Sequence, residues 1–343
     1  LRDMEMVQFH PTGLLAGADT RMTGTVLEEG LRGAGGYLVN GLGERFMQAA
    51  DPRAERATRD IVSRGIIREM RDKRTTPNGG VWLQMAHLGP DHVRKQFKGM
   101  VERCADCGFD LAGGQVEVVP TAHYMMGGLV FKPDCQTELS GLFAAGEDTG
   151  GEKKKKNMGG NGVANSTVFG GIAGERMAAW VIESGQWHAH DEAAVQHSVE
   201  QHLQPLGKAW QSLEPVREAL FDCMWNDVGI LRDAAGLQRA LLELDRLEND
   251  LLACGVGPAS RTYNLAWHDW MNLRNLITVS RVIALSALAR ENSRGAHYRE
   301  DFPESGPMED SYFCVVRNDS NGQLQMERKA VQFTRVKPGQ SLL

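Results

Sequence analysis

Between Pro120 and Gly171 three signals follow one another: the run His123-Tyr124-Met125-Met126-Gly127-Gly128, a short apolar segment Leu142-Phe143-Ala144-Ala145 that stops at Gly146-Glu147, and Gly159-Gly160-Asn161 opening a helical pattern. A buried strand, a glycine turn and a helix in that order constrain the chain to an α/β layer packing. Ligands in such sheets sit at the carboxyl ends of strands, where Glu147 is expected to stand. Val163, Thr167, Phe169, Ile172, Met177 and Trp180 recur at near-helical spacing and predict one helix. Its first N–H groups and positive dipole end suit an anionic or electron-rich ring edge, and a carboxylate at the strand end suits a sugar or ribitol hydroxyl. The same pattern is also compatible with ordinary α/β packing and no ligand.

With 343 residues, the chain is long enough for two or three domains, and 42% apolar with 24% charged residues is the composition of a globular protein. A net charge of −6 points to neither nucleic acid nor a membrane surface, so a small anionic substrate would need a local positive pocket. No apolar run reaches the roughly 18 residues of a membrane span; the best, 276–289, is broken by Ser280, Arg281 and Ser286. Leu1-Arg2-Asp3-Met4-Glu5 carries neither the basic nor the apolar region of a secretory signal, so none is expected here. The six cysteines, at 104, 107, 135, 223, 254 and 314, read as free thiols in a reducing compartment. Cys104 and Cys107 lack the further ligands of a zinc site and are expected to be buried helix-end thiols.

In chain order, residues 3–9 read as a strand ending at His10, because Pro11 follows. Glycines crowd 22–46 around a brief strand at Tyr37-Leu38-Val39, and Glu29 and Arg32 have the spacing of neighbours on a helical turn, usually a surface ion pair. Thr58 is expected to be an N-cap, with Ile61, Val62, Ile66, Ile67 and Met70 as the apolar face of its helix. Arg59 then falls in the first turn, where the helix dipole opposes its charge by roughly 0.3–1 kcal/mol. It is either an ordinary solvated arginine paired with Asp60 or a residue held there for chemistry. His10 is either a histidine satisfied by a backbone carbonyl or a ligand-holding one. Residues 82–103 read as strand then helix, and 106–120 as loop and strand. From 191 the pattern is helical, with Val195, Val199 and Leu203, then 213–224, 237–251 and 265–288. Trp267, Trp270, Met271, Leu273, Leu276, Ile277, Ile283 and Leu288 are the expected core stripe. A hairpin is expected from Tyr312–Val316 to Val331–Phe333, turning near Asn321-Gly322.

Five motifs in order resemble the succinate dehydrogenase and fumarate reductase flavoprotein family, which includes L-aspartate oxidase: Gln8-Phe9-His10-Pro11-Thr12-Gly13, Glu29-Gly30-Leu31-Arg32-Gly33, Thr58-Arg59-Asp60, the 120–171 stretch, and Ser293-Arg294-Gly295-Ala296-His297. The resemblance implies a mixed α+β and α/β fold: the end of a flavin-domain strand (1–11), an inserted capping or lid domain (12–120), the returning half of the FAD-binding domain (121–188), a helical bundle (189–292) and a C-terminal tail with a β-hairpin (293–343). It implies FAD, held by Glu147, Gly160, Asn161, Gly162 and Val163. A dicarboxylate such as succinate or fumarate would be held by His10, Thr12 and His123. Hydride would pass at flavin N5, Arg59 would supply the proton, and Glu29 and Arg32 would restore it from solvent. An iron–sulfur partner subunit is implied too, which would place a cytoplasmic chain peripherally at the inner face of a membrane.

Two departures from the family pattern stand out. The dinucleotide-binding half with its Gly-x-Gly-x-x-Gly turn has no counterpart here; only Gly33-Ala34-Gly35-Gly36 approaches it, with the wrong spacing. The chain is therefore expected to be part of a longer flavoprotein and, alone, to bind FAD weakly or not at all. Where relatives carry a His-Gly-Ala-Asn-Arg run, this chain has Lys153-Lys154-Lys155-Lys156-Asn157, so Lys153 replaces the His and Asn157 the carboxylate-gripping Arg. The lysine run is either a solvated loop or an altered anion pocket. L-aspartate oxidase chemistry and a non-catalytic family member are the alternative functions.

Overall fold

Apolar alternation pairs the strands of the first unit. The computed structural model describes residues 1–17, 20–150, 161–185, 189–319 and 321–340. The chain divides into one unit of Val7–Tyr124 and another of Leu1–Met6 with Met125–Leu343; the expected insert, 12–120, falls inside the former.

In the Val7–Tyr124 unit, β1 (Val7–Leu14), β2 (Tyr37–Val39), β3 (Val81–Gln84) and β4 (Gln115–Met125) form a sheet in the order β1-β4-β3-β2. Antiparallel register puts Leu38 opposite Leu83, Leu83 opposite Val116 and Val81 opposite Val118, so one face is a row of fully buried side chains. Onto that face pack α1 (Gly30–Gly33), α2 (Met47–Ala50) and α3 (Arg59–Arg71) through Leu31, Met47, Val62 and Ile66, with α4 (Pro90–Gln96) and α5 (Lys98–Ala105) adding Val93 and Cys104. Close approach is needed where α3 crosses α2: a Cβ on Gly65 would lie 2.7 Å from Met47 Sδ. Thr58 stands at the N-cap of α3 in extended backbone, and Ser63 Oγ donates to Phe9 O at 3.2 Å, tying α3 to β1. The expected end of β1 at His10 is wrong; the strand starts at Val7 and runs through Pro11 to Leu14. β1 is a sheet edge, where a residue without an N–H is tolerated. On the opposite face, Tyr37, Trp82, Gln84, Gln115 and Arg45 line a cleft of about 540 Å³.

The other unit holds α6 (Asn161–Ser184), α7 (Glu192–Leu203), α8 (Glu214–Asn226), α9 (Ala234–Ala253), α10 (Leu265–Ala289) and the hairpin β5 (Tyr312–Asn318) and β6 (Leu324–Ala330). Side chains start three helices: Asp191, Asp233 and Asn264 accept N–H bonds from Ala194, Gly236 and Trp267. α9 buries Leu237, Ala240, Leu244, Leu247 and Leu251 at three- and four-residue spacing, and α10 answers with Trp270, Leu273 and Ile277. Trp270 Nε1 donates to Leu251 O at 2.8 Å, satisfying the indole inside the contact. Leu276 is 45% exposed and leaves the expected stripe, because it sits about 100° around the helix from Ile277. Val195 and Val199 of α7 are exposed as well. The hairpin's second strand begins earlier than expected, at Leu324, because Asn318 pairs with Leu324 directly across a turn closed by Gly322 at φ +77°.

The Leu142–Ala145 strand does not form; Phe143 makes a single bridge to Gln136, and Leu142 is 41% exposed. A strand needs a neighbour along its length, and the described residues provide one bridging residue. α6 packs on that segment from one side only: Trp180 lies over Gly141, Cys135 Sγ donates to Phe169 O at 3.7 Å, and Val163 on the far side is 74% exposed. No helix of the described residues is long and apolar enough to cross a membrane.

The Ser293–His297 motif anchors a buried charge cluster in this unit. Glu5, Arg232, Arg290 and His297 are all buried; Arg290 Nε donates to Glu5, and Arg232 Nη1 bridges Glu5 O and His297 Nδ1, each at 2.8 Å. Arg294 Nε donates to Ser305 O at 2.6 Å. Cys104 is buried, burial pushes its thiol up to about 12, and all six cysteines are free.

Candidate active site

Strand alternation places Gln8, His10 and Thr12 on one face of β1, all buried. Across from them, the start of α3 presents Arg59, and Glu29 caps α1. Every guanidinium nitrogen of Arg59 is engaged: Nη1 donates to Gln8 Oε1 at 2.9 Å, and Nη2 and Nε donate to Glu29 Oε2 at 2.9 and 3.3 Å. Those acceptors offset a cation that a helix start disfavours. Glu29 Oε1 takes Arg32 Nη2 at 3.1 Å, so one carboxylate bridges two guanidinium groups. Burial opposes charge on Glu29, but hydrogen bonds and attraction from Arg59 and Arg32 outweigh it and hold the carboxyl below its usual range. Burial lowers Arg32, which is 2% exposed, whereas the Glu29 side chain is 44% exposed; solvent therefore meets the array at Glu29.

His10 is 1% exposed and lies 5.3 Å from the His123 ring, centroid to centroid, at 65°. The Thr12 N–H points at His10 Nδ1 at 3.3 Å, and Thr12 Oγ1 donates its proton to Leu27 O at 2.9 Å. Thr12 Oγ1 also lies 3.2 Å from Nδ1, so Thr12 meets that ring nitrogen with both its N–H and its hydroxyl oxygen and fixes the orientation of the ring. Burial first, then the charges of Arg59 and Arg32, pull His10 down to about 2, so it is neutral at every working pH. The array offers a neutral imidazole beside a guanidinium whose charge is shared with one carboxylate. That combination can grip a small carboxylate and pass a proton.

The structure brings Arg59, Glu29, Arg32, His10, Thr12 and His123 together in the Val7–Tyr124 unit; His123 itself is exposed. The hydroxyl of Thr12 donates to Leu27 O and its oxygen lies 3.2 Å from His10 Nδ1, so its part is to hold the His10 ring in place. Gln8 went unassigned in the sequence; alternation along β1 puts it on the His10 face, against Arg59 Nη1. Glu147 occupies a one-turn helix, Gly146–Asp148, and accepts the Met125 N–H at 3.1 Å. Gly160, together with the lysine run Lys153–Lys156 and Asn157, lies outside the described residues; Asn161, Gly162 and Val163 form the first turn of α6.

Residues 1–163 match the FAD binding domain family, and residues 217–342 match the fumarate reductase flavoprotein C-term family. The chain is 38% identical over 309 residues to a fumarate reductase (CoM/CoB) polypeptide of Methanothermobacter marburgensis, covering 90% of this chain and 55% of that one. It is 32% identical over 319 residues to L-aspartate oxidase 1 of Ralstonia nicotianae, covering 89% and 54%. Among solved structures, a glutamate-to-glutamine variant of the quinol fumarate reductase flavoprotein of E. coli superimposes with a TM-score of 0.87 at 30% identity, covering 99% of this chain and 60% of that one. Fold and matched segments define an FAD-dependent flavoprotein. Within that class, the chain belongs to the succinate dehydrogenase and fumarate reductase flavoprotein family, and it spans a little over half the length of the curated relatives it matches.

The residues present fit FAD. Asn165 Nδ2 donates to Gly146 O at 3.2 Å, pinning the Glu147 turn to the first turns of α6, while its buried Oδ1 has no partner among the described residues. Gly146 has φ +80°, and a Cβ there would meet Ser166 Oγ at 3.0 Å. A carboxylate, the start of a helix and an acceptor in want of a donor suit a ligand rich in hydroxyl and ring N–H groups.

Proposed function

We propose that this chain belongs to an FAD-dependent enzyme that interconverts a dicarboxylate and its α,β-unsaturated form, of the succinate and fumarate type. The observation that carries the reading is the Gln8–Arg59–Glu29–Arg32 array beside the buried, neutral His10. When bound, the flavin supplies hydride exchange; Glu147, Gly160, Asn161, Gly162 and Val163 would hold it. His10 and His123 donate to the substrate carboxylates, and Thr12 acts through His10. Arg59 gives its proton to the carbon next to a carboxylate, where carbanion character develops and the acceptor is basic enough to take it. Glu29, open to solvent, returns that proton, while Arg32 holds the carboxylate in place and stabilises its charge. In the same reading, residues 12–120, which fall within the Val7–Tyr124 unit, are the capping domain. An iron–sulfur subunit in a membrane-associated complex, on its cytoplasmic side, is the proposed electron partner.

The test is Arg59→Lys in the flavin-loaded enzyme, assayed by fumarate-dependent oxidation of a reduced viologen dye. Turnover is expected to fall about 10²–10⁴-fold with fumarate binding retained; near-normal turnover removes Arg59 from the chemistry. The similarity to L-aspartate oxidase supports a second reading, in which oxygen-dependent peroxide release with aspartate replaces dicarboxylate turnover.

A further inference from the structure

Arg32 is among the most deeply buried cations of its unit, and only part of its hold is Glu29. Arg32 Nη1 donates at 2.6 Å to the backbone carbonyl of Glu55, a residue from the short helical turn Ala54–Arg56 that comes just before α3. Glu55 is 2% exposed, and its carboxylate is held by Arg45, with Nε to Oε1 at 2.9 Å and Nη2 to Oε2 at 2.7 Å. Oε1 also takes the Leu38 N–H of β2 at 3.2 Å. One residue thus uses its side chain to fasten its own turn to the sheet and its main chain to orient the guanidinium that holds Glu29.

We infer that Glu55 is a positioning residue for the proton array: fixed by Arg45 and Leu38, it presents its carbonyl to Arg32 and its negative charge to the buried guanidinium. Burial works against charge on Arg32, and Glu29, followed more weakly by Glu55, works for it. Neutralising Glu55 therefore removes a geometric support and part of the electrostatic support together. Arg45 extends the same chain to the cleft beside Tyr37, over whose ring its guanidinium lies at 4.7 Å, so the array's outermost anchor is at the surface.

The inference rests on the proposed role of Arg59, and its test separates the two. In the flavin-loaded enzyme, Glu55→Gln is expected to lower kcat about tenfold with KM for fumarate unchanged and to move the alkaline limb of the kcat profile to lower pH. Glu55→Asp is expected to recover part of the loss, and Arg45→Lys to give a smaller shift of the same sign should Glu55→Gln not fold. An inactive Arg59→Lys beside Glu55→Gln and Arg45→Lys variants with the parent pH profile overturns the role of Glu55 alone. An active Arg59→Lys overturns the role of Arg59, on which this inference rests. Independently of turnover, ¹⁵N-arginine spectra of the 343-residue chain are expected to show slowly exchanging Arg32 Nη hydrogens that become fast in Glu55→Gln; unchanged exchange refutes the support.

Discussion

His10 is expected to make the Val7–Tyr124 unit sensitive to acid, in an amount that follows from its burial. Its folded pKa is about 2, while an unfolded chain leaves a histidine near 6.5. Below pH 6.5 the unfolded state takes up a proton that the native state refuses, so this contribution to stability is complete above 6.5 and is lost as pH falls. Between pH 7 and pH 5 the loss is about 2 kcal/mol, from 1.36 kcal/mol per unit over the range in which only the unfolded chain titrates. His10→Asn keeps an acceptor near the Thr12 N–H and removes the titration. Urea unfolding read by amide exchange in peptides of β1 and α3 isolates this unit, and comparing the two proteins cancels every other group. The parent curve is expected to drop about 2 kcal/mol further than the variant's from pH 7 to pH 5. Parallel curves, or a His10 ring signal that titrates near pH 6 by NMR, refute the buried neutral imidazole.

Two further outcomes are expected. Glu29→Gln, which keeps a side chain of the same size between Arg59 and Arg32, is expected to reduce kcat about 10²–10³-fold with little change in KM in the dye assay. Asp3, which accepts hydrogen bonds from Arg290 and the Cys314 N–H, is pushed up to about 6 by burial and then by Glu5. The folded state therefore holds that proton more tightly than the unfolded chain, and stability falls as pH rises from about 4 to 6, on the order of 2 kcal/mol. In Asp3→Asn, amide exchange of the β5 hairpin is expected to lose that dependence.

Much of the architecture was legible where packing obeys a single period. The α9 and α10 faces, the helix starting at Arg59 and the three-residue strand at Tyr37 follow from apolar spacing and capping alone. Reading failed where a residue's role depends on a neighbour far along the chain. Pro11 looked like a strand end because nothing local says that β1 is an edge, and Leu142–Ala145 looked like a strand because its composition does not report whether a partner strand lies beside it. In the active site, the resemblance of ordered motifs pointed to Arg59, Glu29, Arg32, His10 and His123, where spacing alone left a surface ion pair, a solvated arginine and a backbone-satisfied histidine open. Gln8, an amide of no obvious chemistry, shows its place only once Arg59 Nη1 is seen against it.

The groups proposed to hold substrate carboxylates and move protons are all carried by Val7–Tyr124, fastened to one another by short hydrogen bonds and a shared strand. Their alignment is therefore built into the fold of that unit. Any displacement of that unit would carry the acid, its carboxylate and the imidazole as one rigid tool. Changes made elsewhere in the chain would then alter how often this tool meets its substrate, while leaving its cutting edge as sharp as before.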